Sequence, residues 1–167
     1  AGVKNHKYEN GVGSFETYSK NCIKFEEQDT LESIVIPNGV ISIGEEAFYY
    51  CTELTSITIP NSITRIEDGA FYACPCLEKV CINDIAAWCS IDFGSAEANP
   101  LNRAHNLYLN GELVTDLIIP TNVTNIRENV FYSCTSLTSI TIPNSITRIE
   151  DWAFDGCRSL TSVTIPN

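Results

Sequence analysis

Residues 54–68 read LTSITIPNSITRIED, and residues 137–151 read the same again, letter for letter. Fainter copies flank both. Aligned on the first leucine, copies begin at Leu31, Leu54, Leu77, Val114, Leu137 and Leu160. The step is 23 residues throughout, except from Leu77 to Val114, where it is 37. A fixed period of this size marks a stack of one supersecondary unit, in which each copy buries its apolar face only against its neighbours. Such a stack has a long regular surface and no enclosed pocket by default, which favours binding over chemistry.

With Leu54 as position 1, apolar residues fall at positions 4 and 6 (Ile57, Ile59), 10 (Ile63) and 13 (Ile66). Pro60 stands at 7, Ala70 and Phe71 at 17 and 18, and Cys74 at 21. The alternation of Ile with Thr and Ser predicts a short strand over positions 3–6. Proline, lacking an N–H, ends it. Acidic residues followed by Ala-Phe predict a short helix or 3-10 turn further on. Stacking then gives a parallel sheet on the concave side and short helical turns on the convex side. Equivalent residues line up in columns: Ile34, Ile57, Val80, Leu117, Ile140 and Val163; Ile36, Ile59, Ile82, Ile119, Ile142 and Ile165; Ile43, Ile66, Ile126 and Ile149; Phe48, Phe71, Phe131 and Phe154. Each fully buried member contributes roughly 1.5–3 kcal/mol.

The pattern L-x-x-I-x-I-P-N-x-I-x-x-I-x-x-x-A-F-x-x-C resembles the bacterial leucine-rich repeat of the BspA, or Treponema pallidum, type. The resemblance covers residues 31–167 apart from the long step. The commoner leucine-rich repeat has an inward Asn or Cys where this chain has Gly39, Ser62, Asn122 or Ser145, so no regular asparagine ladder is expected. The resemblance implies a leucine-rich repeat solenoid from a secreted or surface-attached bacterial protein, often an adhesin or recognition module.

Two segments fall outside the pattern. Residues 1–30 are read as an N-terminal cap over the open end of the array, with a candidate strand at Cys22-Ile23-Lys24-Phe25. The long step holds an insertion within 83–113. There Asp84 caps a short helix over 85–89, residues 94–100 form a loop, and Leu107-Tyr108-Leu109, Asn110-Gly111, Glu112-Leu113-Val114 spells a β-hairpin. This predicts one antiparallel strand near 106–109 interrupting the sheet. The chain contains no Met and stops eight residues into a repeat, so the array, 31–167, is expected to be cut short at its C-terminus.

The formal charge of -11 argues against nucleic acid and anionic membranes, and no apolar run is long enough to span a bilayer. Of eight cysteines, Cys51, Cys74, Cys134 and Cys157 share position 21 and are expected as buried thiols, ahead of disulfides or metal. Cys74, Cys76, Cys81 and Cys89 crowd together, but their spacing fits no common zinc pattern. Disulfides involving Cys22, Cys76, Cys81 or Cys89 stay open, and Cys81 is a candidate exposed thiol. His6 and His105 are isolated, and Gly11-Val12-Gly13 is too short for a phosphate loop. Glu45, Glu46, Glu67, Asp68, Glu150 and Asp151 recur with the repeat and read as a solvated face, paired in part with Arg65 and Arg148. Tyr49, Tyr72 and Tyr132 share position 19. They read as half-buried packing or, alternatively, with Trp152, as a row able to stack on sugars. Trp88 reads as core.

No catalytic residue, metal site or cofactor is predicted. The candidate ligand-binding surface is the outward, concave face at positions 3 and 5: Ser33, Val35, Ser56, Thr58, Lys79, Cys81, Asp116, Ile118, Ser139, Thr141, Ser162 and Thr164. Hydroxyls there can donate and accept, although Thr is also simply a good strand residue. The expected function is a non-enzymatic protein-binding or adhesion module, extracellular or on the bacterial surface, with a host or neighbouring-cell surface protein as partner. The alternative is a carbohydrate-binding or scaffolding module appended to a secreted glycan-degrading enzyme.

Overall fold

The computed structural model describes residues 31–165, together with the backbone of 16–19 and 22–24. The rest of the expected cap, including His6 and Gly11-Val12-Gly13, lies outside the described residues, as do the side chains of residues 1–30. Strands β1 (Glu16–Ser19) and β2 (Cys22–Lys24) pair antiparallel. Each regular repeat then supplies two strands: β3 (Ser33–Val35) with β4 (Ser42–Ile43), then β5 (Ser56–Thr58) with β6 (Arg65–Ile66). The long step carries β7 (Lys79–Ile82), helix α1 (Ile85–Cys89), β8 (Asp92–Phe93), a 3-10 turn at Ala96–Ala98, helix α2 (Leu101–Ala104), β9 (Leu107–Leu109) and β10 (Glu112–Leu113). Regular repeats resume with β11 (Asp116–Ile118) and β12 (Asn125–Ile126), β13 (Ser139–Thr141) and β14 (Arg148–Ile149), and finally β15 (Ser162–Thr164).

The chain is a parallel β-solenoid. The period sets the register: Ile34 pairs with Ile57, Ile57 with Val80, Leu117 with Ile140, and Ile140 with Val163. The expected Ile, Phe and Cys columns are the core, with Ile57, Ile66, Phe48, Phe71, Phe131 and Cys74 fully buried. Phe48 stacks on Phe71 at 5.1 Å and Phe131 on Phe154 at 5.3 Å between ring centres. At the C-terminal end of the described array, Ile149, Val163 and Ile165 are exposed, because no described repeat packs over them.

Three features differ from the sequence reading. First, positions 12 and 13 form a second, narrow parallel ladder, β2-β4-β6-β8 and again β12-β14. Second, positions 14–21 of the regular repeats are successive turns; the short helices occur only in the insertion. In each regular repeat two residues take positive φ at positions 16 and 20: Glu46 and Tyr50, Gly69 and Ala73, Asn129 and Ser133, Trp152 and Gly156. These reversals aim N–H groups at the next repeat instead of along a helix axis. Glu46, Phe48 and Tyr50 donate to the carbonyls of Asp68, Ala70 and Tyr72 at 3.1, 2.8 and 3.0 Å. A helix would have consumed those donors internally. Third, the strand at 107–109 is not the antiparallel one. β9 runs parallel to β7, with Leu107 beside Val80, and the antiparallel strand is β10. Asn110 and Gly111 both have positive φ, as a type I′ turn requires.

Hydroxyl ladders take the place of an asparagine ladder. Thr55, Thr138 and Thr161, at position 2, each donate both N–H and Oγ1–H to the carbonyl one repeat earlier. Thr64 and Thr147 do the same at position 11. The Cys74 and Cys157 thiols donate to the Phe48 and Phe131 carbonyls at 3.0 and 3.1 Å, so this column also ties repeat to repeat.

The insertion divides the main sheet into a block β3-β5-β7-β9-β10 and a block β11-β13-β15. Across this seam, side chains largely replace the backbone ladder. The buried Trp88 donates Nε1–H to the Val130 carbonyl at 2.9 Å and meets Phe93 edge-on. The buried Asn99 donates Nδ2–H to the Asn129 and Val130 carbonyls at 2.7 and 3.2 Å, while its Oδ1 accepts from Leu101 N–H. His105 Nδ1 lies 3.1 Å from the Ser133 carbonyl, and the Ser136 N–H donates to the His105 carbonyl.

Candidate functional site

Outward residues of the main sheet follow from strand alternation, since residues flanking a buried position 4 must face away from the core. All twelve predicted face residues are exposed or half-buried. The structure groups them in two sets. Ser33, Ser56 and Lys79 form one row beside Val35, Thr58 and Cys81. Asp116, Ser139 and Ser162 form the other beside Ile118, Thr141 and Thr164. Val35 and Ile118 are 66% and 70% exposed and give each set an aliphatic side chain open to solvent. Cys81 is half-buried, and burial pushes its thiol above the ordinary value.

Tyr108 belongs to this face and was missed. It sits beside Cys81 in register, and Lys79 Nζ lies over its ring at 5.7 Å. The signal was present: Leu107-Tyr108-Leu109 copies the apolar alternation of positions 4–6. On the second block, Ser139 Oγ–H donates to Asp116 Oδ1 and Thr115 Oγ1–H to Oδ2. These two donors, Ser139 first, hold the Asp116 carboxyl below its ordinary range.

Clefts flank the seam. One, of about 320 Å³, is lined by Ile85, Leu109, Glu112, Leu113, Asp116 and Ile118 among others. Another, of about 500 Å³, lies by Asp84, Ser90, Asn122, Asn125 and Arg127. Near it a chain of charges runs from Glu67 to Arg65 to Asp92 to Arg127, with contacts of 2.7, 2.7 and 3.3 Å. These pairs are solvent-exposed and contribute about 0–1 kcal/mol each. Arg148 and Glu150 approach at 4.0 Å.

On the turn side, Tyr49 and Tyr72 stack on each other at 5.6 Å, and Arg103 lies over Tyr72. Tyr50, Tyr72 and Trp152 are exposed. Among the described residues, no group of three or more His, Cys, Asp or Glu converges as metal ligands, and no cysteine is disulfide-bonded. Cys51, Cys74, Cys134 and Cys157 are buried as expected, whereas Cys76 is exposed. Burial pushes the Cys89 and Cys157 thiols up to about 12, and the Cys51 thiol hydrogen-bonded to Cys74 holds the Cys74 thiol down. Among the described residues, no helix is long and apolar enough to cross a membrane.

Among curated proteins none matches the sequence. A leucine-rich repeat protein of Treponema pallidum shares the fold at 19% identity and a TM-score of 0.53, covering 95% of this chain and 82% of that one. A leucine-rich cell surface protein of Faecalibacterium prausnitzii aligns at 25% identity and a TM-score of 0.48 over 92% of this chain. A leucine-rich repeat protein of Bacteroides ovatus aligns at 22% identity and a TM-score of 0.48 over 99% of it. This chain spans only 38% and 52% of the length of those last two. The sequence itself matches the BspA type leucine-rich repeat region in six copies, over residues 18–92 and 104–167. The match resumes at Ala104, three residues before β9, where the solenoid register also resumes. The chain therefore belongs to the BspA-type leucine-rich repeat family.

Proposed function

We propose that this chain is a non-catalytic recognition module of a secreted or surface-attached bacterial protein, and that it binds a surface protein of a host or neighbouring cell through the outward face of its main sheet. The observation that carries this reading is the face itself. Ser and Thr, held in register by the 23-residue period, lie beside aliphatic side chains left two-thirds exposed at Val35 and Ile118. Such a surface supplies both apolar area and hydroxyl donors and acceptors to a partner. Family membership and the leucine-rich fold support a binding role over an enzymatic one.

The test is a paired charge substitution. Thr58→Lys with Thr141→Lys sets one ammonium on each block of the face, and Glu45→Lys with Asp151→Lys places the same charges on the turn side. Binding to a panel of immobilised extracellular-matrix proteins should fall for the first pair and persist for the second, with unchanged circular dichroism in both. The opposite pattern would refute the face. The exposed Tyr50, Tyr72 and Trp152 favour a second reading, carbohydrate recognition by a module appended to a glycan-degrading enzyme. Signal on a glycan array, lost in the turn-side pair alone, would support it.

A further inference from the structure

The seam leaves two strand edges open inside the array. Strands β11 and β10 pair, among the described residues, only with β13 and β9 respectively. In a strand, successive residues turn their N–H and C=O groups to opposite sides. Ile119 N–H donates to the Thr141 carbonyl and the Thr115 carbonyl accepts from Thr138, so residues 115, 117 and 119 face β13. The backbone groups of Asp116 and Ile118 therefore face away from β13, toward the seam. On β10, Val114 N–H donates to the Leu107 carbonyl at 2.8 Å, so the backbone groups of Leu113 point away from β9. The cleft of about 320 Å³ lies here, with Ile85, Leu109 and Leu117 beneath and Glu112 and Asp116 at its rim.

An open edge at the end of an array can be covered by a further repeat. This one cannot, because the chain occupies both of its flanks. We infer that the seam is a strand-addition site: an extended segment of a partner protein pairs with the β11 edge, setting apolar side chains into the cleft and cationic side chains beside Glu112 and Asp116. Backbone pairing supplies affinity in this mode, and the alternating side chains supply selectivity. The charge decides the occupant. Both rim residues are carboxylates, and the chain carries 21 acidic against 10 basic side chains, so a second copy of itself would meet like charge. A basic, β-branched segment meets complementary charge and has strand propensity. The inference rests on the chain being a protein-binding module, and it deepens that reading by naming the edge and the class of segment.

The probe is an acetylated octapeptide alternating Lys and Val. Controls are its Glu–Val counterpart and a version N-methylated at alternate amides, which cannot pair with a strand edge. The Lys–Val peptide should bind by fluorescence anisotropy and slow amide hydrogen exchange at Leu113 and Ile118, while both controls fail to bind. Glu112→Lys with Asp116→Lys should weaken binding at least about tenfold, whereas Glu45→Lys on the turn side leaves it unchanged. If the double variant does not fold, the N-methylated peptide on the native protein decides the matter. Unaltered exchange at Ile118, equal binding of the N-methylated peptide, or loss of binding in Glu45→Lys would overturn the inference. The matrix-protein assay reads the sheet face independently, so either reading can fail alone.

Discussion

The Val130 carbonyl at the seam is served by two side chains, and removing them singly and together tests whether side chains stand in for the ladder. Trp88→Phe deletes the Nε1–H donor at 2.9 Å and part of a ring that is 1% exposed. The bond is worth about 1 kcal/mol and the lost packing a similar amount, so about 1–3 kcal/mol is expected. Asn99→Ala removes the bonds to Asn129 O and Val130 O and the acceptor of Leu101 N–H. At about 0.5–1.5 kcal/mol each, that is about 2–4 kcal/mol. Either variant leaves Val130 O one donor, but the double variant buries it with none. An orphaned buried acceptor costs about 1–3 kcal/mol, so the double variant should be less stable than the sum of the singles by about that amount. Urea unfolding followed by circular dichroism measures all four corners of the cycle. Additivity within about 0.5 kcal/mol would show that the two side chains do not share that carbonyl and would refute the account of the seam.

Ile59→Asp should destabilise the array by more than about 4 kcal/mol, because a charge would replace a side chain that is 2% exposed, while Thr58→Asp next door should cost about 0.5 kcal/mol or less; similar melting temperatures would contradict the register. With their thiols raised to about 12 by burial, Cys89 and Cys157 bind protons in the native state that the unfolded chain has released. Their contribution to stability is therefore intact below about pH 9 and should be lost as pH climbs toward about 12, a fall visible in urea midpoints and absent in a Cys89→Ala, Cys157→Ala background. Native protein should accordingly label with a thiol reagent at Cys76 and resist at Cys134. Gly94→Ala should destabilise by about 1–3 kcal/mol, since its Cβ would stand 2.9 Å from the Asp68 backbone N, and a thermal melt matching the wild type would disprove the close approach.

The solenoid, its columns and the insertion were legible because they are written in period and alternation: Ile57, Ile59 and Ile66 recur at fixed intervals, and burial needs nothing more. The second ladder was not, since two residues such as Arg65-Ile66 give no alternation to detect. The turns were masked by their own residue types. Positions 16 and 20 demand positive φ, yet Glu46, Tyr50, Ala73, Asn129, Ser133 and Trp152 are not glycine, so the local sequence reads as a helix while neighbouring repeats impose the turn. The direction of β9 depends on its pairing with Val80, 27 residues earlier, and the hairpin motif alone names two antiparallel strands without saying which joins the sheet. Of the candidate face, the membership of each strand was readable, but the division into two blocks and the place of Tyr108 rest on that same pairing. Trp88 was recognisable as core, whereas the role of Asn99 was invisible, because a buried amide serving two carbonyls thirty residues away leaves no local trace.

Two identical fifteen-letter segments in one chain carry a hazard: either could dock where the other belongs, shifting the array by whole repeats while every Ile and Phe still finds an equivalent neighbour. Backbone ladders cannot detect that error, because they are blind to sequence. The seam can, through its donors. Trp88, Asn99 and His105 occur in the insertion alone and meet the carbonyls of Val130, Asn129 and Ser133. A slip that put a regular repeat in the insertion's place would set no indole and no carboxamide against those carbonyls. The one irregular step thus works as a key cut into an otherwise uniform shaft, giving a periodic molecule a single frame of reference from which its repeats are counted.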